Sequence, residues 1–173
     1  MQQEKEINKV LQERAKALSK PLHEEQMAAS SFEGLGFRLA NETYAIDMDY
    51  VKEVSFVKNL TELPCTPAFV VGIINLRGSI LAVVDVKLFL NLPTEGVSDA
   101  NRLIIVQKED IQIALLADEV LGALNIEKEL TQEKSSSGEE FSKFISGVYK
   151  QNMIILDIDL LLSSKEIIID EEV

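Results

Sequence analysis

The chain has 173 residues, 46% of them apolar, with 17 basic and 29 acidic side chains and a formal charge of −12. That length and apolar fraction supply a real core and exclude a disordered chain. The acidity argues against nucleic acid, whose affinity comes largely from lysine and arginine on phosphates, and no apolar run approaches the roughly 20 residues that cross a bilayer.

At the start, Ile7, Val10, Leu11 and Leu18 recur at helical spacing among charged residues from Glu4 to Ser19, and Lys20-Pro21 ends the run. This predicts an amphipathic helix, docked on its own domain, frayed in solvent, or offered to a partner's groove. It carries no signal-peptide apolar region. Residues 22–34 read as a polar linker holding His23, the single histidine. One cysteine, Cys65, excludes an internal disulfide and fits a reducing cytoplasm.

From Leu35 the apolar period changes to two. Short β-rich runs follow at GFRLA, TYAID, VKEVSFV, GIINL, SILAVVD, RLIIVQ, IQIALLAD, VLGALNI, FISGVYK and MIILDI. Turn chemistry divides several of them, at Asn41-Glu42, Arg77-Gly78, Glu109-Asp110 and Gln151-Asn152. Many short strands at this spacing predict small barrels or a sandwich. Thr66-Pro67 is a good start for one helical turn through Val71. DVKLFLNL and DIDLLLSSKEI each open with a capping aspartate and predict short helices. TQEKSSSGEE, residues 131–140, predicts an exposed mobile loop.

A weak internal repeat organises the strands. FVVG at 69–72 leads through a hairpin to VVDV and an apolar helix; FISG at 144–147 leads through a hairpin to ILDI and another. Upstream, YAID followed by VKEV parallels LLAD followed by EVLG. The repeat predicts one five-stranded unit used twice, the second copy carrying the Ser-rich insertion. Two such units side by side leave a groove between them.

Chemistry is sparse. Nucleophilic catalysis generally needs a base such as histidine, and His23 lies in the polar leader. One Cys and one His do not make a zinc site, and neither phosphate-loop nor dinucleotide glycine patterns occur. The remaining enzymatic reading is Mg²⁺ held by Asp47/Asp49 or Asp157/Asp159, since alternate strand residues share a face. Against it, each pair closes a strand where aspartate is good capping chemistry. Arg77 is the side chain the pattern singles out. It stands beside Gly78 at a hairpin tip, and a guanidinium fixed by stiff strands suits bidentate recognition of carboxylate or amide groups.

The stretches YAIDMDYVKEV, LPCTPAFVVGIINLRGSILAVVDV, RLIIV, ADEVLGAL and FISGVYKQNMIILDIDLLL together resemble the CheW-like adaptors of bacterial chemotaxis. The resemblance covers roughly Gly36 to Leu162, with PAFVVGIINLRGSI its most specific part. It implies a mainly β fold: two five-stranded SH3-like barrels in pseudo-twofold arrangement, with short helices; the N-terminal helix read from its apolar spacing is not part of the family's core motif. With the leader and tail read from the chain itself, the expected organisation is a helix and linker at 1–34, a CheW-like domain of two intertwined barrel subdomains at 35–166, and an acidic tail at 167–173. The resemblance further implies no catalysis and no cofactor. The expected role is a stand-alone cytoplasmic adaptor, recruited to receptor arrays, that joins the tips of methyl-accepting chemotaxis receptors to the regulatory domain of the histidine kinase CheA. Membrane association would come only through the receptors. The matching motifs place receptor contacts at Val51, Glu53, Asn75, Leu76, Arg77 and Val120, and a kinase contact at Gly72. The alternatives are an adaptor of another chemosensory pathway, such as surface motility or development, and the Mg²⁺-dependent enzyme. Ala82 stands where the family often has proline. Ala114 stands where it often has glycine, which puts the local strand bend in question.

Overall fold

The computed structural model describes residues 5–14, 30–132 and 140–167. Residues 5–14 form the helical segment α1, whose Ile7, Val10 and Leu11 are all exposed. The rest of the predicted leader helix, its Lys20-Pro21 end and His23 lie outside the described residues. No described helix is long and apolar enough to cross a membrane.

Eleven strands follow: β1 (Ser31–Leu39), β2 (Glu42–Asp47), β3 (Val51–Phe56), β4 (Val70–Leu76), β5 (Ser79–Asp85), β6 (Arg102–Lys108), β7 (Ile111–Ala117), β8 (Glu119–Glu127), β9 (Thr131–Gln132), β10 (Ile145–Tyr149) and β11 (Met153–Leu156). Two short helices, α2 (Val86–Phe89) and α3 (Ile158–Ser163), each follow a hairpin. Every predicted strand is present, and both predicted capping aspartates work as such. Asp85 accepts from the Lys87 amide and Asp157 from the Leu160 amide, covering donors a helix start leaves unpaired.

The strands form a mainly β fold of two sheets with one repeated plan. One runs β8-β1-β2-β11-β10-β9, the other β3-β6-β7-β5-β4. In both, the first three strands pair antiparallel, the third and fourth parallel, and the fourth and fifth antiparallel. The sixth strand, β9, has its counterpart in an isolated bridge from Thr61 to Ile73. Matching irregularities recur: register shifts at Val70/Gly72 and at Ile145/Gly147, and amides of Asp85 and Asp157 bonded at 2.8 Å to the carbonyls of Phe69 and Phe144.

The repeat and the sheets do not coincide. Each sequence copy gives its first hairpin to one sheet and its later strands to the other, so the hairpins β1-β2 and β6-β7 exchange places between the copies. The expectation of one sheet per copy is corrected by this exchange. Its physical reason lies in burial. The main core is built between the sheets from Leu35, Phe37, Tyr44 and Ile46 on one side and Val84, Ile104, Val106 and Leu115 on the other. Leu103, Ile105 and Leu116 point the opposite way into a second core, and Ala45, Ile126 and Ile155 into a third. The run LIIV is therefore buried on both faces, as its unbroken apolar character requires. Phe89 of α2 joins the copies, its ring 5.1 Å from Phe69 and 5.0 Å from Phe144.

Four further expectations are corrected. The linker does not reach residue 34, because Ser31 to Gly34 pair with Glu127 to Leu124 of β8. Thr66-Pro67 opens a turn and not a helix: the Val70 amide bonds to the Pro67 carbonyl, and Val70 already belongs to β4. Thr131 and Gln132 pair with β10 instead of joining the loop, whose residues 133–139 lie outside the described part. The tail does not begin at 167, since Ile167 is buried in the main core. Ala114 lies in unbroken register with Ile105 and Val83, so no strand bend forms there.

Candidate functional site

Arg77 owes its position to local chemistry. Leu76 pairs with Ser79, leaving Arg77 and Gly78 as a two-residue loop with φ of 50° and 91°. Two positive φ values in succession make the type I′ turn that matches strand twist. Asn75 Oδ1 accepts from the Gly78 amide at 2.9 Å and closes the turn. The Arg77 side chain is 80% exposed, and its Nη1 lies 3.0 Å from Glu53 Oε2. Glu53 belongs to β3 and Arg77 to the tip between β4 and β5, at opposite edges of the sheet order. The ion pair therefore spans the seam where the sheet curls upon itself. Lys52, Glu53, Leu76, Arg77, Ser79, Gln107 and Gln112 line the concavity at that seam.

β3 is an edge strand, bonded only to β6 within its sheet. Lys52, Val54 and Phe56 alternate outward, while Val51, Glu53 and Ser55 are half-buried. The period-two rule thus divides β3 between two surfaces. Val54 shares a shallow groove with Ala100, Arg102, Asp118, Glu119 and Val120. Phe56 pairs across the strands with Arg102, whose guanidinium carbon sits 4.3 Å from the ring centroid. Arg102 Nη1 donates to the carbonyls of Ala100 at 2.6 Å and Asn101 at 3.0 Å.

Behind the groove, Asp118 links elements of both sheets. Its Oδ1 accepts from Lys87 Nζ at 2.6 Å and Asn101 Nδ2 at 3.0 Å, and its Oδ2 from the Ala40 amide at 2.7 Å. The Lys87 side chain is only 5% exposed, so Asp118 supplies the charge that makes its burial tolerable.

The structure does not gather the motif-matched residues into one concavity. Glu53, Leu76 and Arg77 come together, with Asn75 shaping their turn; Val120 lies in the neighbouring groove. Val51 is half-buried and packs on the main core. Gly72 is itself buried, and a Cβ there would lie 2.3 Å from the Thr61 carbonyl oxygen. Its part is the path of β4 under Thr61, so contact with a partner falls to its neighbours. Sequence reasoning did not single out Arg102, Lys87 or Asp118. The available signals were a charge in the apolar run VDVKLF and an arginine opening the apolar run LIIV.

The aspartate pairs have other occupations. Asp47 Oδ1 accepts from the Asp49 amide at 2.9 Å, and Asp157 caps α3. Asp159 Oδ1 lies 2.6 Å from Lys108 Nζ and accepts from the Tyr50 hydroxyl at 3.3 Å. The hydrogen bond from Lys108 holds the Asp159 carboxyl below its ordinary value and raises Lys108; burial, then Asp159, raises Tyr50. Among the described residues no three His, Cys, Asp or Glu side chains group to hold a metal. Cys65 is exposed and free.

The CheW-like domain family model matches residues 33–166. The chain is similar to "Chemotaxis protein CheW" of Thermotoga maritima, with 31% identity over 149 residues, covering 84% of this chain and 96% of the relative. It is 29% identical over 140 residues to "Protein PilI" of Pseudomonas aeruginosa, covering 80% of this chain and 79% of that protein. Among solved structures it resembles the scaffolding protein TtCheW from Thermoanaerobacter tengcongensis. The TM-score is 0.70 and the identity 29%, covering 78% of this chain and 94% of that one.

Proposed function

The chain belongs to the CheW-like domain family, a chemotaxis scaffold type, and from that premise we propose that it is a non-enzymatic adaptor coupling chemoreceptor tips to the histidine kinase CheA. The observation that carries this reading is Arg77. A guanidinium on a two-residue turn, braced by Asn75 and steered by Glu53, stands beside an edge strand that exposes Val54 and Phe56. That arrangement suits an amphipathic helix whose apolar stripe covers β3 and whose polar edge meets the arginine. Val51, Glu53, Asn75, Leu76, Arg77 and Val120 are the proposed receptor-side residues. The neighbours of Gly72 on the far edge of the same sheet are proposed for the kinase, so that the two partners bind without competing.

On this reading the partner's carboxylate or amide shares Arg77 with Glu53. The preformed pair lowers the ordering cost, because the long side chain is already held when the partner arrives. The adaptor unit is the CheW-like domain proposed at 35–166, extended back to Ser31 by the pairing with β8. A second reading, an adaptor of another chemosensory pathway, is favoured by the similarity to "Protein PilI", a relative not named for chemotaxis.

Co-purification of the tagged chain with the cell's own histidine kinase and receptors tests the proposal. Recovery of both, with receptors lost from the Arg77→Ala variant, is expected. Recovery of neither kinase nor receptors would sink it. Recovery of a receptor-like protein from a motility pathway would select the second reading.

A further inference from the structure

We propose that Arg102 is a specificity determinant of the groove between β3 and β8, selecting a partner whose apolar contact face carries a carboxylate. The inference rests on the adaptor reading, in which the occupant is the receptor tip. The groove floor is apolar at Val54, Ala100 and Val120, and exposed Phe56 and Leu121 extend the apolar surface along β3 and β8. Its charges are unequal in their partners. Asp118 is paired with Lys87 at 2.6 Å, and Glu119 with Arg38 at 3.0 Å. Among the described residues Arg102 forms no ion pair, so the charge left uncompensated in the groove is positive, in a chain whose total charge is −12.

The guanidinium is also held. Its Nη1 is tied to the Ala100 and Asn101 carbonyls and its plane is steadied by the Phe56 ring. An arginine has five N–H donors in a rigid fork, and among the described residues only Nη1 is engaged. The Nε and Nη2 hydrogens remain for a partner. A fork of that shape pairs two-to-two with a carboxylate, and Val54, Ala100 and Val120 beside it help to exclude water once a partner docks. An apolar helix face bearing one Glu or Asp fits both halves of the groove.

The test uses the full chain, a soluble signalling-tip fragment of a chemoreceptor from the same genome, and the kinase regulatory domain, with binding measured by titration calorimetry. Arg102→Gln should weaken binding of the receptor fragment about ten- to a hundredfold, as expected for one charge-assisted contact. Binding of the kinase domain and the urea midpoint should stay unchanged. Arg102→Lys should restore part of the loss. Arg102→Glu should bind worst and recover when one acidic residue on the apolar face of the receptor fragment is exchanged for lysine, a rescue that a merely structural role does not produce. If Arg102→Gln disturbs folding, the Glu→Gln exchange on the receptor fragment reports the same contact with the wild-type chain. Wild-type binding of the receptor fragment with equal binding by Arg102→Gln overturns the inference and leaves the adaptor reading standing. A loss confined to the kinase domain, or to self-association of the chain, overturns it as well. Failure of the wild-type chain to bind either fragment overturns the adaptor reading itself.

Discussion

Replacing Arg77 by asparagine separates stability from function at the hairpin tip. Arg77 adopts φ of 50°, a left-handed conformation that costs an ordinary side chain about 1–2 kcal/mol and that asparagine enters more readily. Asn-Gly is moreover the preferred pair for a type I′ turn. Against that gain stands the ion pair with Glu53, and since Arg77 is 80% exposed the pair contributes about 0.2–1 kcal/mol. Arg77→Asn should therefore leave folding stability unchanged or raise it by up to about 1 kcal/mol, read by urea unfolding. Coupling should fall in the opposite direction. Loss of a charge-assisted hydrogen bond in a drying interface costs about 1.5–3 kcal/mol, roughly a ten- to hundredfold weaker receptor affinity. Kinase activation in reconstituted receptor membranes reads that loss. Stable Arg77→Asn protein with full activation would refute the functional reading. A drop in stability of more than about 1 kcal/mol would show that the arginine holds the seam of the sheet.

Lys87→Met should destabilise the fold by about 3 kcal/mol, the low end for breaking a buried pair, because Asp118 keeps its bonds from Asn101 and Ala40; urea unfolding of the single variant checks this, and a change near zero would remove the link between the sheets. Gly72→Ala should cost about 1–3 kcal/mol by overpacking against the Thr61 carbonyl, with the Thr61–Ile73 bridge opening first in hydrogen exchange; unaltered protection would count against it. Asp159 has a folded pKa below its unfolded value, so its contribution is present above the ordinary carboxylate range and is lost as pH falls through the folded value. Asp159→Asn should accordingly lower stability slightly at neutral pH, converge with the wild type in acid where Asp159 is protonated, and so flatten the acid limb of the stability–pH curve. An unaltered acid limb would mean that Lys108 and Asp159 do not pair in solution.

Local chemistry was written plainly in the chain. Alternation and turn residues marked the strands, since side chains of a strand face opposite sides and Gly78 permits the tight loop after Leu76. Asp85 and Asp157 marked their helix starts because a short acceptor relieves unpaired amides wherever they occur. Even the arginine proposed for receptor contact was legible, as a charge at a glycine turn between two apolar strands. Thr66-Pro67 misled because the same residues that start helices also start turns. What followed it, Val70 to Leu76, found a strand partner in β5, and that pairing decided the outcome.

The sequence by itself determined the period of each element, the positions of most turns, the doubled plan and the polarity of the whole. It did not determine which strands would meet. Period two states that Leu103 and Ile104 face apart, yet both faces of β6 are apolar, and nothing local assigns one core to either. That choice came from the exchange of the β1-β2 and β6-β7 hairpins between the copies, which buries both faces and draws Ser31 to Gly34 into the sheet beside β8. The same exchange set Phe56 against Arg102 and Lys87 against Asp118, while the curl of one sheet set Glu53 against Arg77. These partners are separated by 46, 31 and 24 positions along the chain, and contacts at such separations exist only once the sheets have closed. The site is therefore tertiary in origin: each residue type was visible beforehand, but a charge acquires its partner, and with it its function, only from the neighbours that packing supplies.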